Sequence, residues 1–300
     1  MTASPAPRRS RLAIAGPIVS ALSVQAGAGV GTLLLPAVGA VGVVGLRQLF
    51  AAIVLAPTLR RDVLRWRLVW PSLCLGLALV VMNLAIYESF SRLELGLAVT
   101  LEFLGPLAVA LLSSRRLLDL ICGVAAGAGV ALLTGTVHDI DPIGVGLALL
   151  AGVAWAAYIL FTQRAGERLP GIQGTAVASC AASLVTLPLL IGILVRVPTD
   201  RLLGILSLGA VVGVLSSALP YSLDLAVLRR ISRNLFSVLQ SLHPAAAALS
   251  GLLILGQTLA LPQLVGLAVI SAANAVAVLG SARRGAAARR VAAAAAAPGA

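Results

Sequence analysis

Two residues in this 300-residue chain stand where an ordinary apolar stretch does not put them. Arg47 is flanked by Val-Gly-Val-Val-Gly-Leu and Gln-Leu-Phe, and Glu102 by Ala-Val-Thr-Leu and Phe-Leu-Gly-Pro. A charge at the centre of a bilayer costs about 2.5–3.5 kcal/mol on insertion scales, so such residues must face an interior, a cavity or each other. One reading is a structural Arg47–Glu102 ion pair; the other is a binding or coupling site, in which Arg47 attracts a carboxylate and Glu102 an ammonium or a proton. Around them, Gln25, Asn83, Tyr87, Trp155, Tyr158, Tyr221, Gln240 and His243 are polar or amphipathic side chains inside apolar runs and join the candidate set. Asn274 reads as interhelical glue. Pro106, Pro220 and Pro244 lack the N–H that would bond to residues 102, 216 and 240, so each frees a backbone carbonyl beside a polar side chain. Such helix breaks serve as binding geometry or, alternatively, as bends that hydroxyls satisfy. The sequence has no GxxxxGK[ST], HExxH or GxSxG, so ATP-driven pumping and obvious intramembrane catalysis have no residues to use. Cys74, Cys122 and Cys180 fall singly in separate apolar runs and read as packing residues; neither a metal nor a cofactor is called for.

The elements that hold these residues follow from composition. AVILMFWYC residues make up 60% of the chain, charged residues 11%, and mean hydropathy is +1.05. A soluble domain has about 25% charged residues, and no globule of this size could cover so much apolar surface. With roughly 20 residues per membrane crossing, ten helical spans are expected at 12–35, 38–57, 68–88, 93–113, 117–136, 143–161, 173–195, 202–226, 233–254 and 262–281. Arg47 and Glu102 are then each tenth in a span, near mid-depth. Gly27, Gly29 and Gly31, and likewise Gly123 and Gly127, read as helix-packing faces. All basic side chains other than histidine are arginine, and 18 of the 22 fall in alternate connections and the termini, from Arg8, Arg9 and Arg11 through Arg60–Arg67 to Arg289 and Arg290. Arg92, Arg196 and Arg201 fall on the other side. This positive-inside bias places both termini in the cytoplasm. It also explains a pI near 11.5 by topology and lipid headgroups, with no nucleic-acid partner needed.

The spans repeat. At an offset of 138, Arg92 meets Arg230, Glu102 meets Gln240, Leu104 meets Leu242 and Pro106 meets Pro244. A unit of five helices enters the membrane inverted in its second copy, which is the organisation of secondary transporters with a midplane site. The expected domains are an N-terminal cytoplasmic segment 1–11, repeats 12–136 and 137–281, and a disordered cytoplasmic tail 282–300. The fold class is an all-α membrane protein of ten transmembrane helices in two inverted five-helix repeats.

Thr100-Leu101-Glu102-Phe103-Leu104-Gly105-Pro106, running on to Ser113-Ser114-Arg115-Arg116, closely resembles the fourth-helix segment of threonine/homoserine exporters. So do Trp155-Ala156-Ala157-Tyr158 with Gln163-Arg164-Ala165-Gly166, and Ser217-Ala218-Leu219-Pro220-Tyr221; Gln25, Arg47, Met82-Asn83 and Tyr87 match in order. These exporters are EamA-type members of the drug/metabolite transporter superfamily. The resemblance implies inner-membrane, multi-pass efflux of small amino acids or related metabolites, exchanged for protons. Two positions depart from the family pattern: His243 where an acidic residue usually precedes the proline, and Gly256-Gln257 where Gly-Glu is usual. Export of drugs or hydrophobic metabolites on the same fold, and a non-transporting scaffold, remain alternatives. Partners are a small-molecule substrate and membrane lipids, and a homodimer is left open.

Overall fold

The computed structural model describes residues 7–112, 117–134, 141–220, 223, 241–276 and 279. Among them every regular element is helical. The chain runs α1 (Pro7–Leu55), α2 (Trp66–Phe90), α3 (Leu95–Glu102), α4 (Leu104–Leu112), α5 (Leu117–Thr134), α6 (Pro142–Arg168), α7 (Gln173–Leu194), α8 (Thr199–Gly213), a π-helical turn (Val214–Ala218), α9 (His243–Leu255) and α10 (Leu261–Val276). Among the described residues five stretches are long and apolar enough to cross a membrane, Ile18–Thr58, Trp66–Phe90, Pro142–Arg168, Gln173–Leu194 and Thr199–Ala218, and four shorter apolar helices accompany them. Leucines and valines such as Leu77, Val153, Leu184 and Leu253 face outward, an arrangement suited to lipid and not to water.

The breaks in these helices carry the architecture. Spans 1 and 2, expected as separate helices, are the two halves of α1, parted at the single non-helical residue Gly39, at φ 64° and ψ 176°. That conformation is essentially restricted to glycine, so this is where the chain turns without a loop. The fourth expected span is two helices, parted at Phe103, between Glu102 and Pro106. α8 gives way to the π turn ahead of Pro220, where an i→i+5 pattern absorbs the missing proline donor. Pro244 sits in the first turn of α9, directly after the Ser241-Leu242 turn, as Pro106 sits in the first turn of α4 after Phe103. Tyr221, Gln240, the 224–240 stretch, the 135–140 acidic loop up to Asp141 and the tail lie outside the described residues.

α1 forms the centre, packing on α7, α8, α9 and the π turn, while α2 lies along α6 and α7. Of the glycine faces, Gly27 packs on Ser216, Gly29 on Ile254 and Gly31 on Tyr87. A Cβ added to Gly127 meets no described atom within 4 Å, whereas one added to Gly129 meets Ile270 and the Gly266 carbonyl of α10. Cys122 is buried with Leu107, Ala126 and Ala273, as a packing residue should be. No group of three metal-ligating side chains occurs among the described residues.

The two ends of the bundle differ in charge. At one end the Arg60 N–H donates to Gln173 Oε1 at 3.0 Å, and Arg168 Nη1 donates to the Arg67 carbonyl at 2.7 Å. α7 runs from Gln173 to Leu194 and delivers Arg196 to the opposite end. There Arg92 pairs with Asp141 at 3.0 Å and with Glu88 at 3.4 Å. Asp141 caps α6 by accepting from the Ile143 N–H, and the Arg92 guanidinium beside it holds its carboxyl below the usual carboxylate range.

Candidate functional site

Arg47 projects from the second half of α1 and is buried. Its Nε donates to Ser217 Oγ at 3.3 Å, Nη1 to Asn83 Oδ1 at 2.5 Å, and Nη2 to the Ser216 carbonyl at 3.0 Å. The last bond is the one that sequence chemistry prepares: Pro220 withholds its donor, the Ser216 carbonyl is left over, and a guanidinium takes it. Asn83 is in turn fixed by donating its Nδ2 to the Leu79 carbonyl at 2.6 Å, which aims Oδ1 at Arg47. The π turn is itself tied to α1, with Ser23 Oγ donating to the Leu215 carbonyl at 2.7 Å and Ser216 Oγ to the Val24 carbonyl at 3.3 Å. Arg47 therefore sits in a socket built from three distant segments.

Glu102 ends α3 and is buried too. No ion pair joins it to Arg47: among the described residues the ion pairs are Arg60–Asp62, Arg92–Glu88 and Arg92–Asp141. The structural pair considered from the sequence is thus not formed, because Arg47 spends its donors on neutral partners. Three of its five N–H groups are so used among the described residues, and the Tyr87 hydroxyl lies close to the guanidinium. The break after Glu102 is made possible by a backbone crossing, since a Cβ added to Gly152 of α6 would lie 2.8 Å from the Glu102 carbonyl. One added to Gly105 would overlap the Gly152 carbonyl. Two glycines, one on each helix, let α3–α4 touch α6 main chain to main chain.

Next to this crossing stand three rings. Phe103 meets Trp155 edge-on at 4.7 Å between centroids and stacks against His243 at 5.8 Å, while Trp155 and His243 are 6.3 Å apart. His243 Nδ1 lies 3.2 Å from Gln25 Nε2, which ties α9 to the first half of α1. Gln25 Oε1 and the Tyr87 hydroxyl are buried with no hydrogen-bond partner among the described residues. Tyr87 follows Asn83 by one turn on α2 and presses its ring against Gly31.

The structure thus gathers Arg47 with Asn83, and His243 with Gln25 and Trp155. Tyr158 stands with another cluster, beside Leu75, Leu79 and Ala178. Asn274 is buried, but its Oδ1 reaches no described partner, so the gluing bond expected of that oxygen is not seen. Phe103, Gly152 and Ser23 were not singled out from the sequence. Phe103 adjoins Glu102 in the quoted block, and Gly152 lies three residues before Trp155, one helical turn away, which was the available signal.

Over residues 142–279 the chain matches the EamA-like transporter family. It is similar to the threonine/homoserine exporter RhtA of Salmonella typhimurium strain LT2, at 41% identity over 266 residues, spanning 86% of this chain and 88% of that one. RhtA of Escherichia coli K12 is 40% identical over the same length and coverage. A solved chain described as "Crystal structure of protein" shares the fold, with a TM-score of 0.61 at 20% identity, covering 90% of this chain and 98% of that chain.

Proposed function

Because the chain belongs to the EamA-like transporter family, and within it stands beside curated threonine/homoserine exporters, we propose that it carries small amino acids of the threonine and homoserine kind out of the cytoplasm, across the inner membrane, in exchange for protons. One observation carries the assignment of roles. Arg47 and Glu102 are both buried, yet neither has an ion-pair partner among the described residues. A zwitterion brings the two missing counter-charges in one molecule. Its carboxylate would take N–H groups of Arg47 that donate to no described residue in the hydrogen bonds above, a contact that suits a guanidinium. Glu102 would take the ammonium, or hold a proton when the site is empty, so that substrate and proton compete for one carboxylate. Asn83, Ser216 and Ser217 orient the arginine; Gln25, Tyr87 and the ring trio Phe103, Trp155 and His243 close the space around the side chain of the cargo.

The inverted-repeat organisation, with repeats 12–136 and 137–281 and both termini cytoplasmic, fits this reading. At the offset of 138 the helix break at Phe103 falls on Ser241, immediately ahead of α9. Paired discontinuities near the midplane are what alternating access around a fixed site uses. The experiment is threonine efflux from liposomes holding purified protein under an imposed pH gradient, with Glu102→Gln as the variant. The expected result is loss of the pH dependence together with most of the flux. Unimpaired, pH-dependent efflux by Glu102→Gln would remove Glu102 from the mechanism.

A further inference from the structure

Far from the Arg47 socket, at the end of the bundle that bears Arg92 and Asp141, a cavity of about 390 Å³ opens beside the Gly39 break. Pro36 and Val38 form one wall, Ile193 and Ile205 another, and Arg196 and Arg201 supply the charge. The volume is within the roughly 300–1,000 Å³ of ordinary small-molecule sites. This end of the bundle is poor in arginine, and its ion pairs among the described residues belong to Arg92, with Asp141 and Glu88. Arg196 and Arg201 have no ion-pair partner within 4.0 Å among those residues, although Asp200 adjoins Arg201 in sequence.

The cavity is joined to the socket along α8 and its π turn, on which Arg201, Ile205, Gly209, Gly213 and Ser217 follow one another at four-residue intervals. Arg201 and Ile205 line the cavity. Gly209 packs on Leu46, Gly213 on Phe50 and the Arg47 carbonyl, and Ser217 accepts from Arg47. Along α1, eight residues separate Gly39 from Arg47, about 12 Å of helix. The seam between α8 and the second half of α1 is thus a glycine-lined contact with an arginine site at each end. Small residues at such a seam let the two backbones approach closely.

We propose that this cavity is an exit subsite, in which Arg196 and Arg201 receive the carboxylate of the amino acid after it leaves Arg47. The proposal rests on the exporter reading. Phosphate groups of lipids offer similar chemistry to arginines, so the test must separate the two sources. Phenylglyoxal modification of arginines, mapped by peptide mass spectrometry, is followed on the full-length protein in neutral detergent with L-threonine, with L-threoninol (which lacks the carboxylate) or with neither. Threonine is expected to slow modification of Arg196 and Arg201 several-fold, and threoninol to leave it unchanged. Arg60 and Arg61, at the other end, should react alike in all three. Equal reactivity of Arg196 and Arg201 with and without threonine overturns the proposal. So does protection conferred by phosphatidylglycerol vesicles with no added effect of threonine, which would make the pair a headgroup contact. Failure of the exporter reading appears separately, as absence of threonine counterflow by the unmodified wild-type protein.

Discussion

At the scale of single residues, Arg47 is held by direction as much as by charge. Its three bonds leave from three different nitrogens towards Ser217, Asn83 and the Ser216 carbonyl. A lysine offers a compact charge on a flexible stem and cannot occupy three fixed directions at once. Arg47→Lys is therefore expected to insert normally yet to lower threonine counterflow by at least about tenfold, the equivalent of about 1.4 kcal/mol. Wild-type flux in that variant would mean that charge alone matters. That Arg47 lies within an apolar helix and that Pro220 leaves the Ser216 carbonyl without its α-helical donor were legible in the sequence, from span length and from the proline rule. That the two meet was not, because the bond joins residues 169 apart and depends on how α1 and the π turn pack. Asp141 gives a second residue-scale test. Arg92 first, and then the Ile143 and Gly144 N–H groups, depress its pKa, so its stabilising effect is complete above the ordinary carboxylate value of about 3.9 and is lost as pH falls through the lower folded value. Asp141→Asn should lower amide-exchange protection at the start of α6 at neutral pH, and the difference from wild type should vanish once the carboxylate is protonated.

At the scale of elements, function resides in the interruptions. α1 turns at Gly39, α3 passes to α4 at Phe103, and α8 loosens into a π turn. Prolines announce the last two. Span length places the turn of α1 at residues 36–37, close to Gly39; which glycine takes positive φ is selected only by the packed chain, because Gly42 and Gly45 follow in the same run. Glycine pairs can now be ranked by what a methyl group would strike. Gly105→Ala drives its Cβ into the Gly152 carbonyl, backbone against backbone, where no rotamer offers relief. Overpacking of this kind typically costs about 1–3 kcal/mol, so a lower thermal midpoint and reduced yield are expected. Gly127→Ala, with no described atom within 4 Å, should stabilise its helix by roughly 0.5–1 kcal/mol. Equal thermal midpoints for the two variants would contradict the α4–α6 crossing.

At the scale of the whole molecule, three groups of arginines stand apart from Arg92. The terminal and alternate-connection arginines are expected from the charge rule to set orientation, Arg47 is bound in the socket, and Arg196 with Arg201 lines a cavity beside the Gly39 turn. The geometry makes the division physical. α7 is 22 residues long, about 33 Å of helix, enough to cross a hydrocarbon core about 30 Å thick. Its first residue, Gln173, holds the Arg60 backbone, while Arg196 follows its end, so Arg65 and Arg196 must lie on opposite sides of any membrane this helix spans. Which side is which is decided by charge, since connections rich in arginine stay in the cytoplasm. The test replaces Cys74, Cys122 and Cys180 with alanine and introduces a single cysteine at position 65 or 196. A membrane-impermeant maleimide added to intact cells is expected to label position 196 and to reach position 65 only after the membrane is opened. Labelling of both positions in intact cells would break the α7 crossing itself. The reverse order would keep the crossing but turn the cavity towards the cytoplasm, and the exit subsite would then have to be an entrance.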